Sequence, residues 1–412
     1  MPFVAASLAF ALTFGATLGA LNLARLTGTW GVLHRPSVWL HGYVQAFGFL
    51  ALFIMGFAFH AVPRLAAAPL AHPRLVPVTF GAQLAGVLAV AAALIAPSPV
   101  RALWIAGAVG LLAAAGQFLT IVGATLRASP RRHDSFAPWM IAGAAWLVTS
   151  AALALLAAIR DDTAWHHLLW PAALDGFVAS WIFGAGRRLL PISLGFQPRW
   201  PRWERPAFVV YQAGVALWSL GAAPWPGSDL GPARAAGAAC LLVATPLAAA
   251  TIGLGGPRWP WARAAVDRTY ERYVLAAWIW LFVALAAGPG WSLGLRLQGE
   301  LDSTPMLDFA RHTIALGFAT QLLMGIGGRF IPVFMGRRLW SARAHLWAFW
   351  LLNAGVCLRG LEAAVASGLW PAAWPLIGLA GPPAVAAFLL FSANMFQALR
   401  RPSPSRGSFA AA

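Results

Sequence analysis

WLHGYVQAFGFLALFIMGFAFHAVPRL, from Trp39 to Leu65, decides how this chain folds. It is apolar over more than the roughly 20 residues a helix needs to cross a bilayer. His41 stands just inside its beginning, and His60, Pro63 and Arg64 close it. Its second half returns twice. GFLALFIMGFAFHAVP (Gly48 to Pro63) matches GFVASWIFGAGRRLLP (Gly176 to Pro191) and GFATQLLMGIGGRFIP (Gly317 to Pro332). Gly-Phe, a second glycine eight residues after the first and a proline seven further on keep their spacing in all three copies. The residue three before the proline is basic each time: His60, Arg188 or Arg329.

Working outward, 60% hydrophobic and 10% charged residues exclude an ordinary soluble domain, as does a mean hydropathy of +0.71. Twelve stretches have the length and apolarity of membrane helices: 3–24, 38–62, 75–96, 100–124, 137–158, 168–190, 206–223, 233–254, 274–290, 309–331, 345–366 and 371–396. The expected fold is an all-α, polytopic membrane bundle in one integral domain. The three copies fall on spans 2, 6 and 10, dividing the chain into pseudo-symmetric four-helix repeats over about 1–130, 131–265 and 266–400. Residues 401–412 are expected to form a disordered cytoplasmic tail. The repeated glycines let helices approach closely or let a flat ligand lie against them.

A net charge of +17 is carried by arginine alone, without lysine. With the N-terminus inside, the inner loops, helix ends and tail hold 21 Arg and 4 acids; the outer side holds 8 of each. This positive-inside asymmetry places both termini in the cytoplasm of a bacterial inner membrane and makes anionic lipid headgroups, rather than nucleic acid, the partner of the basic loops. Cys240 and Cys357 both fall within spans, so no disulfide framework or CxxC metal site is present. Walker A, GxSxG and HExxH motifs are absent from the sequence.

The nine histidines sort by side. His60, His72, His133 and His345 belong to inner ends or loops; His34, His41, His166, His167 and His312 belong to the outer side. His41, the His166/His167 pair and His312 stand at the outer ends of the three helices that carry the repeat. Imidazoles converging there suit haem iron or copper; interfacial hydrogen bonding is the alternative for each. His312 is five residues before its glycine and His41 seven, which sets it about 3 Å deeper and turns it by roughly 200° from the repeat position. Asp175, a third of the way into span 6, is either a proton-handling carboxyl or a buried structural hydrogen-bonding group. Arg311 and Arg359 could pair with haem propionates or act as interfacial anchors.

The helix from His41 to Pro63 resembles the second helix of haem–copper oxidase subunit I, which begins with a low-spin haem histidine followed by glycine. A more specific resemblance is to the NnrS family, short twelve-span membrane proteins containing haem and copper and linked to nitric oxide and nitrosative stress. It rests on the early His…GF…G…HxP pattern, on HTIALGFATQLLMGIGGRFIPVFMGRRL from His312 and on LLNAGVCLRGLE ending at Glu362. The resemblance implies His41 and His312 as axial haem ligands, Arg359 and Arg311 as propionate partners, and copper at His166 and His167. It also implies nitric oxide and a redox partner as interactants. The chain departs from the oxidase pattern at Arg311, where a His-x-His pair would sit, and in having no tyrosine on span 6. One bis-histidine haem is therefore the expected cofactor, with copper second. An oxidase- or nitric oxide reductase-like subunit is the first alternative, predicting consumption of oxygen or nitric oxide. A haem-free transporter using Asp175 and the GGxG-like break of span 10 is the second.

Overall fold

The computed structural model describes residues 2–96, 100–130, 134–223, 229–260 and 267–400. His133 and the tail at 401–412 lie outside the described residues. Among those described there is no strand, only an isolated bridge between Phe196 and Arg258. The helices are α1 (Pro2–Leu26), α2 (Arg35–Ala66), α3 (Leu75–Ile95), α4 (Arg101–Arg127), α5 (Phe136–Arg160), α6 (Thr163–Leu194), α7 (Glu204–Leu220), α8 (Gly231–Ile252), α9 (Arg268–Leu297), α10 (Thr304–Phe334), α11 (Ala342–Ala366) and α12 (Pro371–Ala398).

Eleven of these, all but α7, are long and apolar enough to cross a membrane, against the twelve expected. The apolar run read as 206–223 stops helical hydrogen bonding at Leu220, where Gly221 and Ala222 turn the chain. The 17 residues of α7 still pack along α8, whose Gly237 accommodates the Trp218 backbone.

Three helices form the centre. The most apolar windows of α2, α6 and α10 are 83%, 89% and 72% buried, against 39–50% for the other eight spans. Each of the three changes from α- to π-helical winding over eight residues: Val44–Ala51, Ala172–Ala179 and Thr313–Thr320. Gly48, Gly176 and Gly317 lie inside these stretches, and the π stretch of α6 touches those of α2 and α10. The glycines are seats for the preceding helix. A Cβ at Gly48 would meet Phe10 of α1; at Gly176 it would stand 2.6 Å from Trp146 of α5, and at Gly317 2.7 Å from Trp280 of α9. Gly56, Gly184 and Gly325, two turns on, receive Phe3, Met140 and Tyr273 of the same three helices. In lipid, where burial of apolar surface does not drive helices together, such close approaches supply the packing energy.

Contacts between helix ends sort the bundle into two ends. The end of α1 meets the start of α12 through Thr27 and Gly378, and Arg101 at the start of α4 donates to Ile159 at the end of α5. At the opposite end Phe3 packs on Phe59, Arg64 lies over Phe334, and Asn394 pairs with Ser341. His41, His166, His167 and His312 all belong to the first end.

Candidate functional site

At the histidine end, α1, α2, α10, α11 and α12 enclose a cavity of about 220 Å³. Small residues form two of its sides, Ala16, Gly19 and Ala20 of α1 and Ala380, Gly381 and Ala384 of α12. His41 and His312 face each other across it. Their ring centroids are 6.2 Å apart and the rings are inclined by only 9°. Two imidazoles on opposite sides of one ion at bonds of about 2 Å place their ring centres roughly 6 Å apart, so the spacing fits a shared metal.

The local winding explains why the rings are held this way. The π stretch Ala11–Gly15 in α1 leaves Gly15 at ψ −104°, far from helical values, which re-aims its carbonyl. His41 Nδ1 donates to that carbonyl at 2.9 Å. His312 is the last α-wound residue before the π stretch of α10, and its Nδ1 lies 2.9 Å from the Asp308 carbonyl. Arg359 Nη2 is also 2.9 Å from this nitrogen, but it already donates to Asp308 Oδ2 at 2.6 Å. A protonated Nδ1 serves the carbonyl, and one nitrogen cannot both donate there and accept from arginine. Neither Nε2 has a hydrogen-bond partner among the described residues, which is the state a metal ligand needs.

Arg359, 4% exposed, is clamped between Asp308 and Glu362 Oε1 at 2.8 Å, leaving its Nε unpartnered. Sequence reading singled out Arg359 and Arg311 but missed both carboxylates. The available signal was spacing, because Asp308–His312 and Arg359–Glu362 are four and three residues apart on their helices. Arg311 makes no hydrogen bond or ion pair among the described residues and lines the cavity beside His312. A pair of free Nε2 atoms, an orphaned guanidinium N–H and an unpaired arginine at one apolar cavity fit a flat, metal-centred, carboxylate-bearing group.

The structure separates His166 from His167. His166 is 4% exposed and boxed by Trp39, Tyr43, Trp104 and Trp170, with its Nε2 3.0 Å from the Tyr43 hydroxyl. His167 is exposed. Consecutive residues project about 100° apart on a helix, so the box takes one ring and the surface the other. No group of three or more His, Cys, Asp or Glu side chains able to hold a metal occurs among the described residues. Asp175 lines a second, smaller cavity with Arg234 and Arg311, divided from the histidine cavity by Trp170, Leu174 and Arg311.

Among curated proteins none matches the chain in sequence. Among solved structures, the chain is similar to a haem–copper terminal oxidase determined as a dimer by cryo-EM, with a TM-score of 0.72 over 98% of this chain and 84% of that one, at 13% identity. That likeness establishes a haem–copper oxidase-like fold. Residues 1–403 match the family described as NnrS protein, and the chain therefore belongs to the NnrS family.

Proposed function

We propose that this chain binds one haem between α2 and α10, with His41 and His312 as axial ligands, and acts in the response to nitric oxide at the bacterial inner membrane. The observation that carries the reading is the pair of parallel imidazoles, 6.2 Å apart, whose Nε2 atoms are free. Haem would supply one-electron chemistry there. The chain's residues do the rest: the Gly15 and Asp308 carbonyls hold the imidazole tautomers, Arg311 and the free Nε of Arg359 would pair with the haem's carboxylates, and the small residues of α1 and α12 leave room for it. A haem held by two imidazoles would suit electron transfer or sensing rather than turnover of a bound gas. Copper at His166 and His167 has less support, since His166 sits in an aromatic box and His167 at the surface.

The test is a reduced-minus-oxidised spectrum and iron analysis of protein purified from haem-replete cells, for wild type, His41→Ala and His312→Ala. The expected result is a low-spin haem signal with one iron per chain, lost in both variants. A haem-free wild type, or signals unchanged in both variants, would overturn the assignment.

A further inference from the structure

The second cavity, about 50 Å³, lies among α6, α7, α8, α9 and α10, and its lining includes Asp175, Arg311, Arg234 and Tyr211. By the same measure a water molecule needs about 10–15 Å³, so the space holds a few waters. The Asp175 side chain makes no hydrogen bond or ion pair among the described residues; only its backbone carbonyl is engaged, by the Tyr211 hydroxyl at 2.9 Å. Arg311 is equally unpaired. Charged groups at membrane depth are costly unless they are paired or face water, and these two line the same cavity, whose walls are otherwise mostly apolar, without an ion pair between them. Water in the cavity satisfies Asp175, and Arg311 too wherever no carboxylate from the histidine cavity takes it.

The charged and titratable groups around Asp175 are Tyr211 from α7, Arg234 from α8 and Arg311 from α10. Helix α9 lines the cavity with Leu281, Ala284, Leu285, Gly288 and Pro289, none of them ionisable. Among the described residues, α2 and α5 contribute nothing to the cavity's lining. Arg234 closes one side. It is 3% exposed, and its Nε donates to Asp302 Oδ2 at 3.3 Å. Asp302 also accepts from Ser292 and sits 3.6 Å from Arg296 Nη2, in the connection between α9 and α10 where Glu300 and Leu301 are exposed. A polar chain thus runs from the surface through Asp302 and Arg234 to the cavity.

We propose that this cavity is a hydrated proton-binding site in which Asp175 exchanges a proton with the aqueous phase at the α9–α10 connection, past the Arg234–Asp302 pair. The proton adds to the Asp175 carboxylate from water and returns by the same path, so no other reactant is needed. Trp170, Leu174 and Arg311 wall both cavities. A proton on Asp175 therefore removes a negative charge beside the histidine cavity; its effect on a bound haem rests on the haem reading, whereas the proton site does not.

The test is infrared difference spectroscopy of wild type, Asp175→Asn and Asp302→Asn in lipid nanodiscs, with and without haem, on changing pH and on exchange into D₂O. The expected result is a carboxylic-acid C=O band that follows pH, shifts promptly in D₂O and is missing in Asp175→Asn, also in haem-free protein. The Asp302→Asn variant should keep the band but change its exchange rate. A band that survives in Asp175→Asn, or one that neither follows pH nor exchanges, overturns the site. An Asp302→Asn rate equal to wild type overturns the route. If Asp175→Asn does not fold, Asp175→Glu serves instead: its carboxyl moves the band, and an unmoved band overturns the assignment. Because the band is read without haem, its loss and a failure of the haem reading are separate results.

Discussion

Asp308 does the work of two residues at the histidine cavity. Its carbonyl fixes the His312 tautomer, and its carboxylate holds Arg359. Partners of this kind orient a metal-binding imidazole, and their loss typically weakens metal affinity roughly 10–100-fold. Asp308→Asn keeps the backbone carbonyl on His312 and removes only the charge that holds Arg359, so we expect a loss no larger than about 10-fold in a haem titration, with the fold retained. Gly19 acts sterically, because a side chain there runs into the His41 ring. Gly19→Val is expected to yield folded protein with little haem, read as the haem-to-protein absorbance ratio. The two adjacent histidines should part company as well. His166→Ala leaves the buried Tyr43 hydroxyl unpaired and should cost about 1–3 kcal/mol; His167→Ala, at the surface, should stay within about 0.5 kcal/mol in thermal unfolding. The offset between His41 and His312 also finds its reason here. Two helices flanking one cavity must present opposite faces to it, and a turn of roughly 200° from the repeat position is close to that half-turn.

Among the helices, the π stretches of α2, α6 and α10 mark where the centre of the bundle is built. The repeated glycines were read either as helix seats or as a bed for a flat ligand. They are seats; the cavity is walled by other glycines, Gly19, Gly42 and Gly381. A paired substitution checks this. Gly176→Ala drives a methyl into Trp146, an overpacking worth about 1–3 kcal/mol. Gly116→Ala on α4 meets nothing within 4 Å and should be neutral or stabilising by roughly 0.5–1 kcal/mol. Equal melting shifts for the two in detergent would show that the seats carry no packing energy.

For the whole molecule, the arginine distribution sets a testable orientation. If the 21 inner arginines face the cytoplasm, a cysteine at His72, between α2 and α3, is shielded in intact cells from a membrane-impermeant thiol reagent. A cysteine at Gly299, between α9 and α10, is labelled. The reverse pattern would put the histidine cavity and the mouth at Asp302 on the cytoplasmic side.

Taken alone, the sequence determined the all-helical membrane architecture and the motif repeated on α2, α6 and α10. These are properties of composition and spacing along one helix, and a span of about 20 apolar residues carries them without reference to its neighbours. It also held the family resemblance, through GF…G…P and the stretch from His312 to Glu362. Tertiary structure alone decided what those residues meet. The Gly15 carbonyl reaches His41 across 26 positions of chain, and Arg359 reaches Asp308 across 51. Asp175, without a sequence partner, faces Arg311 from another helix. Which turn unwinds into a π stretch, which of two adjacent histidines enters an aromatic box and where α7 stops all depend on the packing of neighbouring helices, and local pattern does not contain that information.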